Sequence, residues 1–167
     1  MNKYDVIIIG SGPAGLGAAY ELCGLFKVCI VEKLSYSSGG LRNDCKQNYT
    51  YPIGFPRSIW TKDEAGLYLE RVKAYLNPEF KRKNHVDVYR DRARKIGVEL
   101  LDIDQYHVGT DRAKKLIDDI VKDLGLKGVD FFFNTEVVSV DEDSRSLALD
   151  GDSGAFELAF GRLIVAP

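Results

Sequence analysis

Asp5-Val6-Ile7-Ile8-Ile9-Gly10-Ser11-Gly12-Pro13-Ala14-Gly15 joins an apolar, β-branched segment directly to a glycine-rich turn near the start of a 167-residue chain. The unbroken run Val6 to Ile9 suits a parallel strand covered by helices on both faces. Gly10 permits the tight turn out of that strand. Gly12 keeps side-chain atoms away from a pyrophosphate, and Gly15 lets the following helix lie close to the sheet. The N-terminus of that helix offers free N–H groups and a partial positive charge to phosphate oxygens. The pattern predicts a dinucleotide site.

A glycine triplet alone is a weak signal, so its flanks carry the inference. Leu16 to Leu25, rich in Ala and Leu, reads as a helix ending near Gly24, and Val28-Cys29-Ile30-Val31 reads as a second buried strand. Glu32 closes that strand. An acid in this place accepts hydrogen bonds from ribose hydroxyls, and its charge disfavours a 2′-phosphate. NAD and FAD share these features, so the choice between them rests on the residues beyond Glu32.

That segment reads Lys33-Leu34-Ser35-Tyr36-Ser37-Ser38-Gly39-Gly40-Leu41-Arg42. A Gly-Gly pair with an arginine just beyond the acid resembles the second phosphate-proximal motif of the two-dinucleotide-binding-domain flavoproteins, in which FAD lies extended across the domain. That favours FAD over NAD. In this family the arginine directly follows the glycines, whereas Leu41 intervenes here. Arg42 is a candidate neutralising charge for the pyrophosphate. The longer stretch from Gly39 to Pro56, with His107-Val108-Gly109-Thr110-Asp111, is similar to the uncharacterised FAD-dependent dehydrogenases of prokaryotes.

The resemblance implies an α/β, Rossmann-like FAD/NAD(P)-binding domain whose parallel sheet is crossed by an antiparallel β-meander. Residues 1–167 would form this domain, truncated, with a helical insertion over about 43–110. Carried over position by position, it implies cofactor contacts at Gly10, Gly12, Pro13, Ala14, Gly15, Glu32, Lys33, Gly40, Arg42 and Val138. Val137 or Val138 would offer main-chain groups to the adenine, with a purely structural strand as the alternative reading. The resembling proteins continue into a flavin-closing segment and a substrate domain. The chain is therefore expected to be a fragment, needing a C-terminal segment or companion subunit to wall the isoalloxazine ring.

The rest of the chain is consistent with that architecture. Thr61 and Glu64 form a capping box for a helix running to Asn77-Pro78, with Ala65, Tyr68, Leu69, Val72, Tyr75 and Leu76 in phase. A second helix spans about Val86 to Ile96 and stops at Gly97, and Val98 to Ile103 reads as a short strand. A further helix starts at Thr110 or Asp111, presents Leu116, Ile117, Ile120 and Leu124 on one face, and ends at Gly125. Val129 to Phe133 reads as a third parallel strand. Val137 to Val140, Ser146 to Leu149 and Phe156 to Phe160 then form a meander, with Leu163 to Ala166 as a separate last strand.

Composition narrows the function classes. A net charge of −2 gives no general attraction to nucleic acid or to anionic membrane, and Lys81-Arg82-Lys83 reads as a solvated loop. No apolar segment approaches a membrane span, and the first strand leaves no room for a signal peptide, so a cytoplasmic location is expected. Cys23, Cys29 and Cys45 suit neither a disulfide framework nor a zinc site. Cys23 and Cys29 read as core, while Cys45 falls in a polar loop with no visible activating partner. His85 and His107 read as surface or loop residues, so no protein base is identified. The aromatic stretch Tyr49 to Trp60 lines either a substrate cavity or a packing interface. The parent is expected to be an FAD-dependent oxidoreductase of unknown substrate. A non-catalytic nucleotide-binding module and an NAD-dependent dehydrogenase are the alternatives.

Overall fold

At the centre of the sheet lies β1 (Asn2–Ile9), paired in parallel with β2 (Val28–Val31) on one side. The computed structural model describes residues 2–43, 56–81, 84–100 and 105–167. They fall into two compact units, Met1–Asn43 with Ala113–Pro167, and Asp44–Arg112. Successive β1 side chains point to opposite faces. Val6 and Ile8 join Val28 and Ile30 against Leu16 and Ala19 of α1 (Pro13–Leu22) and Leu124 of α5 (Thr110–Leu126). Tyr4 and Ile7 join Cys29, Val31, Leu147, Leu149, Leu158 and Phe160 on the opposite face. Burial on both faces accounts for the unbroken branched run of β1.

The remaining strands of this sheet are β5 (Asp130–Phe132), β6 (Glu136–Asp141), β7 (Ser146–Gly151) and β8 (Gly154–Val165), in the order β5-β2-β1-β8-β7-β6. The chain leaves β1 for β2 on one side, while β8 returns in parallel on the other. That reversal at the carboxyl ends of adjacent parallel strands is where open α/β sheets bind ligands. The fold is thus the expected α/β type, with a parallel core and an antiparallel meander.

Several boundaries differ from the sequence reading. The first helix starts at Pro13 rather than Leu16 and ends at Leu22, because proline is preorganised for the first helical position. The meander's last strand and the returning strand are one element. β8 pairs antiparallel with β7 through Gly154–Ala159 and parallel with β1 through Leu158–Val165. Gly161, which looks like a break, instead admits close approach of β1: a Cβ there would lie 2.7 Å from the Asp5 carbonyl oxygen. α5 runs on to Leu126, one residue past the expected stop at Gly125.

The second unit contains α3 (Lys62–Leu76), β3 (Glu79–Lys81), α4 (Val86–Lys95) and β4 (Gln105–His107). Thr61 caps α3 in the expected reciprocal box with Glu64, and Asn77 ends the helix in the left-handed conformation. α4 forms where its spacing predicts but buries none of its residues, and Ile96 beyond it is 76% exposed. No strand forms over 98–100, and 101–104 lie outside the described residues. Lys81 ends β3 rather than belonging to a loop, and His107 lies in β4, which pairs antiparallel with β3. Cys45, Tyr49 to Phe55, Arg82 and Lys83 also lie outside the described residues. Among the described residues no helix is long and apolar enough to cross a membrane.

Candidate functional site

The turn after β1 is built by backbone contacts that only glycine admits at two positions. Gly10 has φ +97°, and a Cβ on it would stand 2.2 Å from the Ala166 carbonyl oxygen. A Cβ on Gly15 would stand 2.0 Å from the Gly10 carbonyl oxygen, so α1 lies directly on the turn. Gly12 is different: an added Cβ meets nothing within 4 Å. It is the N-cap of α1, no side chain caps the first turn, and Pro13 occupies its first position. The exposed Pro13 and Ala14 complete a helix start whose N–H groups face an open cradle.

Glu32 follows β2, beside this turn, because Ile9 and Val31 are register partners. Its Oε2 accepts the Ser11 hydroxyl at 2.6 Å and the Ser11 N–H at 3.0 Å, while Oε1 accepts the Leu34 N–H at 2.9 Å. Partial burial pushes Glu32 up, but bonds from the Ser11 hydroxyl and from the backbones of Leu34, Ser11 and Lys33 outweigh it. The carboxyl is held below its ordinary value, so it is ionised at neutral pH. The adjoining Lys33 is exposed. It lines a cleft of about 370 Å³ with Leu34, Asn134, Glu136, Asp150 and Asp152.

The second loop is tied to the first. The Ser11 carbonyl accepts both the N–H and the hydroxyl of Ser38, at 3.1 and 2.9 Å. Beyond it Gly39–Asn43 forms the short helix α2, in which Gly40 is exposed and an added Cβ would meet nothing within 4 Å. Arg42 does not stand free. Its Nε donates to the Ser37 carbonyl at 2.8 Å, its guanidinium pairs with Asp118 of α5, and it lies 5.5 Å from the Tyr36 ring centroid. Val138 lies at a register shift in the β6–β7 ladder, where Val137 faces Leu149 and Ser139 faces Ala148, and it is 66% exposed.

The structure therefore brings Gly10, Gly12, Pro13, Ala14, Gly15 and Glu32 together at the carboxyl ends of the adjacent parallel strands β1 and β2. Sequence reasoning does not find Ser11, Ser38 or Asp118 as partners. Ser11 sits within the glycine motif, but its bond to Glu32 spans 21 positions and leaves no local signature. Cys29 is fully buried, and burial, with the nearby Asp130 charge, pushes its thiol up to about 12, consistent with a core role. Of the histidines, His85 is exposed, and His107 keeps its Nε2 buried without a hydrogen-bond partner among the described residues.

The solved structures that resemble this fold include the open conformation of a flavocytochrome c3 fumarate reductase, with a TM-score of 0.66 and 17% identity, over 98% of this chain and 33% of that one. Glycine oxidase from Bacillus cereus ATCC 14579 matches with a TM-score of 0.62 and 17% identity, over 98% of this chain and 55% of that one. p-Nitrophenol 4-monooxygenase from Pseudomonas putida DLL-E4 matches with a TM-score of 0.57 and 16% identity, over 99% and 41%. At such identities the likeness is one of fold. An uncharacterised protein of Methanosarcina barkeri (strain Fusaro / DSM 804) is 41% identical over 59 residues, which are 32% of this chain and 15% of that protein. The family model described as pyridine nucleotide-disulphide oxidoreductase matches residues 4–167, from the first strand through the glycine turn and Glu32 to the end of the meander, and the chain belongs to that family.

Proposed function

We propose that this chain is the FAD-binding domain of a flavin-dependent oxidoreductase, a dehydrogenase by its sequence resemblance, with residues 43–110 inserted into it. The observation that carries this reading is the pairing of a side-chain-free helix N-terminus at Gly12 with an ionised Glu32 on the neighbouring strand. FAD, when bound, supplies the hydride and electron-transfer chemistry. The chain's own residues bind and orient it. N–H groups at the start of α1 receive the pyrophosphate, with Gly10, Gly12, Pro13, Ala14 and Gly15 giving backbone access. Glu32 receives the adenosine ribose.

Lys33 and the cleft beside it hold the adenine, with the main chain at Val138 reading its edge. Gly40 and Arg42 face the far side of the pyrophosphate, Arg42 exchanging Asp118 for phosphate oxygens. The flavocytochrome among the similar folds supports a flavin over a nicotinamide cofactor. This chain spans 33% of that flavocytochrome and 55% of the Bacillus glycine oxidase. On this reading a companion segment supplies the substrate side and most walls of the flavin ring, and the protein works in the cytoplasm.

The test is a titration of the purified chain with FAD, followed by the visible spectrum and flavin fluorescence, with NAD titrated in parallel. Saturable FAD binding that NAD does not displace is expected. Gly12→Val, which fills the cradle, should abolish it while the protein stays folded. Absence of FAD binding, or equal binding by the folded Gly12→Val protein, overturns the assignment.

A further inference from the structure

We propose that α4 docks on an anionic phospholipid surface, through the face made by Val88, Tyr89, Arg92 and Lys95 with the C-cap residue Ile96. None of these residues is among the proposed cofactor contacts, so the inference is independent of the flavin reading.

Positions 88, 92 and 95, and positions 89, 92 and 96, recur at intervals of three or four, so the five residues share one side of the helix. All five are exposed, and the three apolar ones keep 47% (Val88), 56% (Tyr89) and 76% (Ile96) of their surface. An apolar stripe on a helix normally faces a core, yet no residue of α4 is buried. The charges are sorted as well. Asp87 and Asp91 fall outside the stripe, where they pair with Arg90 at 2.8 Å and with Arg94 at 3.9 Å. Glu99, beyond Gly97, lines a cleft of about 390 Å³ with the same two arginines. Arg92 and Lys95 have no acidic partner among the described residues. The open face is therefore apolar and cationic, with no acid in it.

The chain's net charge of −2 is unevenly spread, because residues 81–95 hold seven Lys and Arg against two Asp. Cations interleaved with exposed apolar side chains fit anionic headgroups lying over hydrocarbon. Val88, Tyr89 and Ile96 leave water, while the long stems of Arg92 and Lys95 keep their charged ends among the phosphates. Nucleic acid would take the two cations and leave Val88 and Ile96 in water. The leaflet that faces the cytoplasm carries lipids of the required charge.

The test mixes the whole chain with vesicles of phosphatidylcholine alone, or of phosphatidylcholine with an equal share of phosphatidylserine, and measures bound protein by flotation. Binding to the mixed vesicles should be about tenfold tighter or more, and should weaken as salt rises. Arg92→Gln with Lys95→Gln should weaken it about thirtyfold, each cation at an anionic surface being worth about fivefold. Tyr89→Ser with Ile96→Ser should weaken it about tenfold or more by removing apolar contact. All four positions are exposed, so thermal unfolding of both double variants should match wild type. Failure of the wild-type chain to bind the mixed vesicles overturns the inference, as does undiminished binding by either double variant. Binding to duplex DNA or to polyglutamate with none to the vesicles overturns it too.

Discussion

Gly15→Ala and Gly17→Ala lie two positions apart on α1 and should change stability in opposite directions. Both replace a helical glycine by alanine, which on propensity alone stabilises by about 1 kcal/mol. Gly17 is exposed, and a Cβ there meets nothing within 4 Å, so the full gain is expected. Gly15 has its Cβ position 2.0 Å from the Gly10 carbonyl oxygen, 3.1 Å from the Gly10 carbonyl carbon and 3.4 Å from Ile8 Cγ2. The first of these is backbone, so the helix itself must shift outward by roughly 1 Å to restore an ordinary contact, loosening Leu16 and Ala19 from Ile8 and Ile30. Overpacking of a close-packed contact typically costs roughly 1–3 kcal/mol, and displacement of backbone falls at the upper end or beyond it. After the propensity gain, a net loss of about 1–3 kcal/mol remains. In a chain of this size that is a fall of roughly 3–10 °C in Tm, against a rise of roughly 2–4 °C for Gly17→Ala. The assay is urea unfolding and thermal melting followed by far-UV circular dichroism. Tryptophan fluorescence is unsuitable, because the only tryptophan, Trp60, belongs to the other unit. Equal stability of the two variants would refute the claim that α1 rests on the turn.

Three further outcomes are expected. Glu32→Gln should weaken FAD binding by about tenfold, one charged hydrogen bond reduced to a neutral one, and should alter acid unfolding. Because the folded carboxyl sits below its ordinary 4.5, its stabilising contribution is complete above that value and is lost as pH falls through the folded pKa. The stability difference between wild type and Glu32→Gln should therefore be constant at neutral pH and shrink in acid, as measured by urea midpoints across the pH series. Arg42→Ala should lower FAD affinity, whereas Asp118→Asn, which releases the guanidinium, should raise it about two- to fivefold by calorimetry, with stability changed by no more than about 1 kcal/mol because Asp118 is 63% exposed. Thr61→Ala removes the side-chain half of the α3 capping box, leaving the backbone N–H of residue 61 to the Glu64 carboxylate, and should destabilise that unit by about 1 kcal/mol, read by Trp60 fluorescence, since the Trp60 ring lies 5.1 Å from Tyr68 of α3.

The legible parts of the site are those encoded in neighbouring residues. Val6 to Ile9, the glycines after them and the run Val28 to Glu32 each carry their own local signature, and the parallel pairing of β1 with β2 brings them together. Thr61 with Glu64 is legible for the same reason. Features that depend on distant pairing are not. Glu79–Lys81 and Gln105–His107 are three-residue strands, too short to show a period, and each exists only through the other. β8 looks like two strands because Gly161 punctuates its sequence, whereas the glycine serves the close approach of Asp5. Arg42 reads as a free charge because nothing in the residues around it announces Asp118, 76 positions away.

The same long-range bonds couple the two loops that face the expected pyrophosphate. Ser38 has φ +54°, a left-handed conformation that costs a non-glycine residue about 1 kcal/mol or more. Such a residue persists where its surroundings over-determine it. Here the surroundings are the Ser11 carbonyl, which takes the Ser38 N–H and hydroxyl together, and the N–H of Arg42, which donates to the Ser38 carbonyl at 2.9 Å. Ser11 is also the residue that holds Glu32. One buried serine therefore sets both Glu32, the acid proposed to receive the ribose, and the strained start of the loop proposed to face the phosphates. Any displacement of the glycine turn is transmitted to both. A Cβ at Gly10 would press 2.2 Å from the Ala166 carbonyl oxygen, so the end of β8 fixes the turn from the third side. The geometry of the site is thus set by three parallel strands and a serine, with the glycines supplying the room between them.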